Sequence, residues 1–230
     1  MITGTIVNTI AVTAGSIIGV TFGNRIKTKT KNAIVKALGL AVLVLGMKMA
    51  FVDHNFLLGL ISLVIGTGIG EFLDIEQKLD KIGQYLQKKT GNNSGTFVLG
   101  FISATVLFCV GSMTIVGAIK DGLNNDPSIL YVKSLLDGIS SIILASTLGI
   151  GVIFSAVFVF TYQGLLSLLA SKASFLLSEE IYVNGISLVG GIIILGIGLN
   201  MFELTKIKTA NMLPALFLIP VIDYFYLAFF

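Results

Sequence analysis

From Ser128 to Ala170 the chain runs for 43 residues with two formal charges, Lys133 and Asp137. As helix this stretch would measure about 64 Å at 1.5 Å per residue, roughly twice the hydrocarbon thickness of a bilayer. It must therefore cross, turn and cross back, and Gly149-Ile150-Gly151 near its midpoint is the natural place for the turn. Just upstream, Asp126-Pro127 reads as a helix start, with Asp126 as N-cap and Pro127 at the first helical position, where a missing N–H costs nothing. Lys133 and Asp137 are four residues apart and share a helix face. This segment spans, with a re-entrant course as the alternative.

The rest of the chain has the same character. With 55% hydrophobic residues, 12% charged and a mean hydropathy of +0.97, the fold class is an all-α polytopic membrane helix bundle, a single integral membrane domain over residues 1–230. Its first partner is the lipid bilayer. Cys109 is the one cysteine; it excludes an intrachain disulfide and reads as a small core hydrophobe. The N-terminus lacks a basic region ahead of its first apolar run, so no removable signal peptide is expected.

Eight spans fit the pattern: about 3–22, 33–52, 56–72, 97–119, 128–148, 152–170, 184–202 and 212–229. In the first, Gly15, Gly19 and Gly23 sit four apart, a small-residue stripe that lets another helix approach closely, either within the subunit or across a homodimer. Arg25, Lys27, Lys29, Lys31 and Lys36 follow with no acid among them. By the positive-inside rule the loop 24–36 is cytoplasmic and the N-terminus outside. Eight crossings then also place Lys78, Lys81, Lys88, Lys89, Lys206 and Lys208 inside; seven would put the last two outside. Residues 74–89 alternate charge with Leu79, Ile82 and Leu86 at helical spacing, an amphipathic helix suited to the membrane surface.

A faint internal echo points to inverted three-helix repeats. A shift of 152 residues aligns Gly39 with Gly191, Gly46 with Gly198, Met49 with Met201 and Glu71 with Asp223. Residues 1–73 would correspond to 152–230 in opposite orientation around central helices in 96–150, a plan that places a transporter's site near the midplane.

Asp137 is the foremost candidate for chemistry, since an acid about nine residues into a span lies roughly 14 Å below its start and a charge at that depth faces a cavity or a partner. Asp137 would bind a cation or proton, or Lys133 an anion; the alternative is a self-neutralising pair that only orients helices. Asp223 follows Pro220 by one turn and resembles an ion site at an interrupted helix, although Tyr224 and Tyr226 beside it also suit an interfacial aromatic belt. Asn8 and Asn200 are secondary candidates along the path. Gly149, Gly151, Pro220 and Asp126 are structural. With one His and one Cys a zinc site is out of reach, no phosphate loop occurs, and His54, in an outer turn, has no evident catalytic partner. An enzyme is therefore not expected, no cofactor is implied, no metal is assigned, and no basic aromatic surface suits nucleic acid.

Several ordered pieces carry a resemblance: Gly4-Thr-Ile-Val-Asn8 with Gly15 to Gly23 and Arg25, Leu38-Gly-Leu-Ala with Leu45-Gly46, Gly66 to Glu71, Gly117-Ala-Ile with Asp121-Gly122, Lys133-Ser with Asp137-Gly138, Leu148-Gly-Ile-Gly-Val152, and Asn211-Met-Leu-Pro214. Together they resemble the YqgA/YdfK-like bacterial membrane family, domain of unknown function 554. That resemblance implies a multi-pass bacterial inner-membrane protein of a kind labelled as transport proteins, without an assigned substrate. The expectation is a secondary transporter or facilitator for a small solute or ion; the alternatives are an ion channel, with its pore within or between protomers, and a non-transporting scaffold.

Overall fold

A computed structural model describes residues 2–23, 27–92, 94–174, 179–202 and 205–229. Arg25, central to the basic cluster, lies outside them. The described residues form helices and no strand: α1 (Thr3–Gly23), α2 (Thr28–Ala50), α3 (Phe56–Leu73), α4 (Ile75–Lys89), α5 (Phe97–Val110), α6 (Ser112–Asn124), α7 (Ser128–Leu148), α8 (Ser155–Leu168), α9 (Ala170–Ala173), α10 (Glu180–Met201) and α11 (Pro214–Phe229), with 3₁₀ turns at Ile150–Phe154 and Thr209–Met212. Seven segments are long and apolar enough to cross a bilayer, and the bent pair α5–α6 makes an eighth if it counts as one span. This is a polytopic membrane protein, and its burial pattern agrees. On α1 the buried residues are Gly4, Thr5, Asn8, Val12, Gly15, Ser16, Gly19 and Gly23, while Ile6, Ile10, Ile17 and Phe22 are exposed. Small and polar residues inside with aliphatic ones outside is the arrangement a hydrocarbon solvent selects.

The chain divides into two compact units. The first comprises Met1–Ala37, Leu79–Cys109 and Met113–Ser174. Its core contact is α1 on α7. Going along both helices together, Gly4 meets Leu130, Gly15 meets Gly138 and Ser141, Gly19 meets Ile142 and Ala145, and Gly23 meets Ser146, so the two run parallel. At Gly15, Gly19 and Gly23 a side chain would strike backbone carbonyl oxygens of α7, which is why the stripe is glycine. The stripe is thus taken up within the chain, and a homodimer would need another surface. α8 packs on α1 as well.

The second unit comprises Leu38–Lys78, Val110–Ser112 and Phe175–Phe230. Here α2 and α10 cross antiparallel on glycines: a Cβ at Gly46 would lie 2.9 Å from the Gly191 carbonyl oxygen, and one at Gly198 3.2 Å from that of Gly39. α3 pairs with α11, where Ser62 Oγ donates to the Ala215 carbonyl at 2.8 Å, and α10 packs against both.

Three local expectations need correction. The fourth span is not one helix: α5 and α6 meet at Gly111 with a bend of 59°, and Thr114 Oγ1 donates to the Phe108 carbonyl at 3.0 Å, satisfying an acceptor that the break leaves free. By contrast α7 is continuous for 21 residues and so reaches about 31 Å at 1.5 Å per residue, long enough for the span expected there. The cap of α7 shifts by one: Pro127 occupies the N-cap position, and Asp126 Oδ1 instead accepts the Ser128 N–H at 3.1 Å across a short turn. Finally, α11 passes through Pro220 without interruption, since one missing N–H removes one bond and the flanking turns carry the helix on. The turn at Gly149 is as expected, with φ of 87° that favours glycine, and Gly151 lets the Phe97 carbonyl approach its backbone.

Candidate functional site: two buried polar pairs

In the first unit, Lys133 and Asp137 project from α7 into the protein, 5% and 8% exposed. The lysine Nζ donates to Asp137 Oδ2, the Asn8 amide of α1 donates to that same oxygen at 3.0 Å, and the ammonium stands 6.0 Å from the centroid of the Phe108 ring near the end of α5. One carboxylate oxygen thus serves two donors from two helices, and an aromatic face covers the cation. On the neighbouring turns the polar surface exceeds its partners. Asn8 Oδ1, Thr5 Oγ1, both amide atoms of Gln163, Ser167 Oγ and Asp121 Oδ1 are buried with no hydrogen-bond partner. They come from α1, α6 and α8, which converge here. Asp121 Oδ2 accepts the Gly4 N–H at 2.9 Å, placing an acid on the N-terminus of α1; Thr5 lies against Gly164, and Gly122 against Ser167. Each unpaired buried group costs about 1–3 kcal/mol if nothing else fills its valence, which makes this cluster the candidate site of the first unit.

In the second unit, His54 Nε2 and Asp223 Oδ1 are 3.0 Å apart, and both side chains are completely buried. His54 belongs to the turn between α2 and α3. Asn55 caps α3 by accepting the Leu57 N–H at 3.0 Å, and Asn184 Nδ2 donates to the Asp53 carbonyl at 3.0 Å, fixing the same turn to α10. A Cβ at Gly185 would fall 2.6 Å from Asp223 Oδ2 and 2.9 Å from His54 Nε2, so only glycine lets α10 close over the pair. At the other end of the unit, Lys208 Nζ donates to Glu71 Oε2 at 2.7 Å, both half-exposed. Lys208 is thereby held above the ordinary lysine range by the hydrogen bond and then by the charge of Glu71.

The family described as "Protein of unknown function (DUF554)" matches over residues 3–224. The chain belongs to this family. Among its relatives, the "Uncharacterized membrane protein YdfK" of Bacillus subtilis (strain 168) is 35% identical over 98% of this chain and 97% of its own length. The "Uncharacterized protein YqgA" of Escherichia coli (strain K12) is 29% identical over 95% and 94%. No solved structure matches.

For this DUF554 protein, then, the sequence-derived candidates separate into three groups. Asn8, Lys133 and Asp137 are brought together as one site. Asp223 is buried, and its partner is the histidine that sequence reasoning discounted. Asn200 is engaged elsewhere, closing the loop after α10: its Oδ1 accepts from Thr205 Oγ1 and the Ile207 N–H, each at 2.9 Å, and its Nδ2 donates to the Ile207 carbonyl at 2.7 Å. Asp121 and Gln163 were missed as site residues. Asp121 falls just past the expected span 97–119 and joins a helix only because α6 runs on to Asn124; nothing in the sequence links His54 to Asp223. Among the described residues no cluster of three or more His, Cys, Asp or Glu could hold a metal.

Proposed function

We propose that the protein is a small secondary transporter or facilitator for a small solute or ion, with no enzymatic activity, in the bacterial inner membrane. The observation that carries this reading is the Lys133–Asp137–Asn8 cluster, buried among polar atoms that exceed their protein partners, with its ammonium 6.0 Å from the Phe108 ring of α5. Ionisable side chains within a span are a mark of substrate and ion paths. Thr5, Asn8, Asp121 and Gln163 extend the polar path.

The N-terminus lies outside, loop 24–36 is cytoplasmic, and eight crossings follow. Support comes from parity. α1 and α7 run parallel, and with α2 and α3 each crossing once, that requires α5 and α6 together to make one further crossing. The amphipathic α4 lies at the membrane surface. The inverted repeat belongs to the same reading, supported by the α2–α10 crossing: exchanging Gly39 with Gly191 and Gly46 with Gly198 turns the Gly46–Gly191 contact into the Gly198–Gly39 contact, and both occur.

The test is uptake of labelled sodium, rubidium, chloride and amino acids into proteoliposomes. A saturable flux should appear and fall at least tenfold in Asp137→Asn and in Lys133→Ala, tested separately. Flux indifferent to both substitutions removes the site assignment. Unsaturable flux with unitary current steps converts the reading to a channel. The self-neutralising geometry of Lys133 and Asp137 favours one further reading, a scaffold, for which neither flux nor ligand-dependent thermal stabilisation should appear.

A further inference from the structure

His54 is the single histidine of the chain, and both its ring nitrogens face oxygen. Nδ1 lies 3.1 Å from the Asn55 carbonyl oxygen and Nε2 3.0 Å from Asp223 Oδ1. A carbonyl oxygen only accepts, so Nδ1 must carry a proton in its contact. The Nε2–Oδ1 contact then needs a proton of its own, either on the ring, as imidazolium beside carboxylate, or on the carboxyl, as acid beside neutral imidazole. Without it, a nitrogen lone pair would oppose a carboxylate. Moving the one remaining proton from Nδ1 to Nε2 mends that contact and sets the other lone pair against the Asn55 carbonyl. The geometry is satisfied only when the pair holds one proton more than a neutral imidazole and a bare carboxylate.

The surroundings suit such a load. Both side chains are withdrawn from solvent, Asp223 Oδ2 has no partner, and Gly185 gives the backbone room to close over the contact. The other titratable groups toward this end of the elements packed there are Lys48 near the end of α2, Asp53 in the turn, Glu179 and, at the start of α10, Glu180 and Tyr182, with Tyr224 and Tyr226 on α11; Glu71 lies at the far end of α3.

We propose that His54 and Asp223 together form a proton-binding site, and that the bound proton fastens the α2–α3 turn to α11. On release the proton passes to water, no other bond changes, and one of the two ring contacts is lost. The site itself does not rest on the transport reading; only its use as the site of a coupling ion would.

Because there is one imidazole, [15N]histidine NMR of the full-length protein in nanodiscs reports this ring alone, titrated between pH 5 and 9. Asp223→Asn should weaken binding of the second ring proton at least tenfold, while Asp53→Asn changes it less than twofold. Should Asp223→Asn fail to fold, Gly185→Ala provides the same measurement by wedging the partners apart, with the same direction expected. Proton affinity within twofold of wild type in Asp223→Asn or Gly185→Ala, or an equal loss in Asp53→Asn, overturns the proposal. The readout needs no flux: a failed uptake assay with this titration intact counts against transport alone, and an altered uptake with a flat titration counts against the proton site alone.

Discussion

The two buried pairs differ first in how they are made. Lys133 and Asp137 stand four residues apart on one helix, so the pair exists as soon as α7 forms. His54 and Asp223 are 169 residues apart and meet only once the second unit has folded. They differ also in what happens when the acid is removed. A lysine stranded in a dry interior must shed a proton it ordinarily keeps to about pH 10.4, at a cost of about 4–5 kcal/mol at pH 7; an imidazole, with an ordinary value near 6.5, becomes neutral almost freely. Asp137→Leu should therefore destabilise by about 3–5 kcal/mol, and Asp223→Leu by about 1–3, close to the loss of one buried hydrogen bond. Denaturant unfolding in micelles measures both. Lys133→Met combined with Asp137→Leu should recover to within about 1 kcal/mol of wild type, and equal losses from the two single variants would erase the distinction.

The same difference explains what could be read in advance. Helix positions followed from apolar run length, and the Lys133–Asp137 pair followed from spacing, because both are local. The Gly15–Gly19–Gly23 stripe announced a close helix contact, yet nothing local named α7 as the neighbour. His54 looked idle for the same reason: its partner lies 169 residues along, on α11. Gly111 gave no warning of the α5–α6 break because glycine is frequent along this chain and neither proline nor charge stands beside it, whereas Pro220 gave a false one. Proline reports a lost donor, and a helix held on both sides tolerates that loss.

Glycine substitutions sharpen the comparison further. In the second unit, Gly185→Ala places a methyl group against both Asp223 Oδ2 and His54 Nε2, and should cost about 1–3 kcal/mol, in the range of overpacking. In the first unit, Gly138 follows Asp137 directly, yet its added Cβ would meet nothing closer than Ala11 at 3.4 Å. Gly138→Ala should therefore be neutral or stabilise by up to about 1 kcal/mol through helix propensity. Thermal melting of the two variants side by side checks this; a destabilising Gly138→Ala would mean that the α1–α7 crossing is tighter than the contact distances allow.

The smallest effects lie at the surface, where the two units titrate at opposite ends of the pH scale. Asp126, in the first unit, is held below the ordinary aspartate value of 3.8 by hydrogen bonds from Ser128. A carboxyl depressed in the folded state stabilises fully above that ordinary value, and the contribution drains away as pH falls below it through the folded value. Lys208, in the second unit, is raised above 10.5 by Glu71; its contribution is complete below 10.5 and disappears as pH climbs through the folded value. Asp126→Ala should therefore flatten only the acid limb of a melting-temperature profile. Glu71→Gln should flatten the alkaline limb, because it takes away the partner that raises Lys208. Both groups are solvent-exposed, so each change should be slight and should shrink further in high salt. A Glu71→Gln profile that keeps its alkaline slope would show that the Lys208–Glu71 contact does not hold the loop before α11, leaving Asn200 and the Glu76–Asn211 clasp, where Asn211 Oδ1 accepts the Glu76 N–H, to fix it unaided.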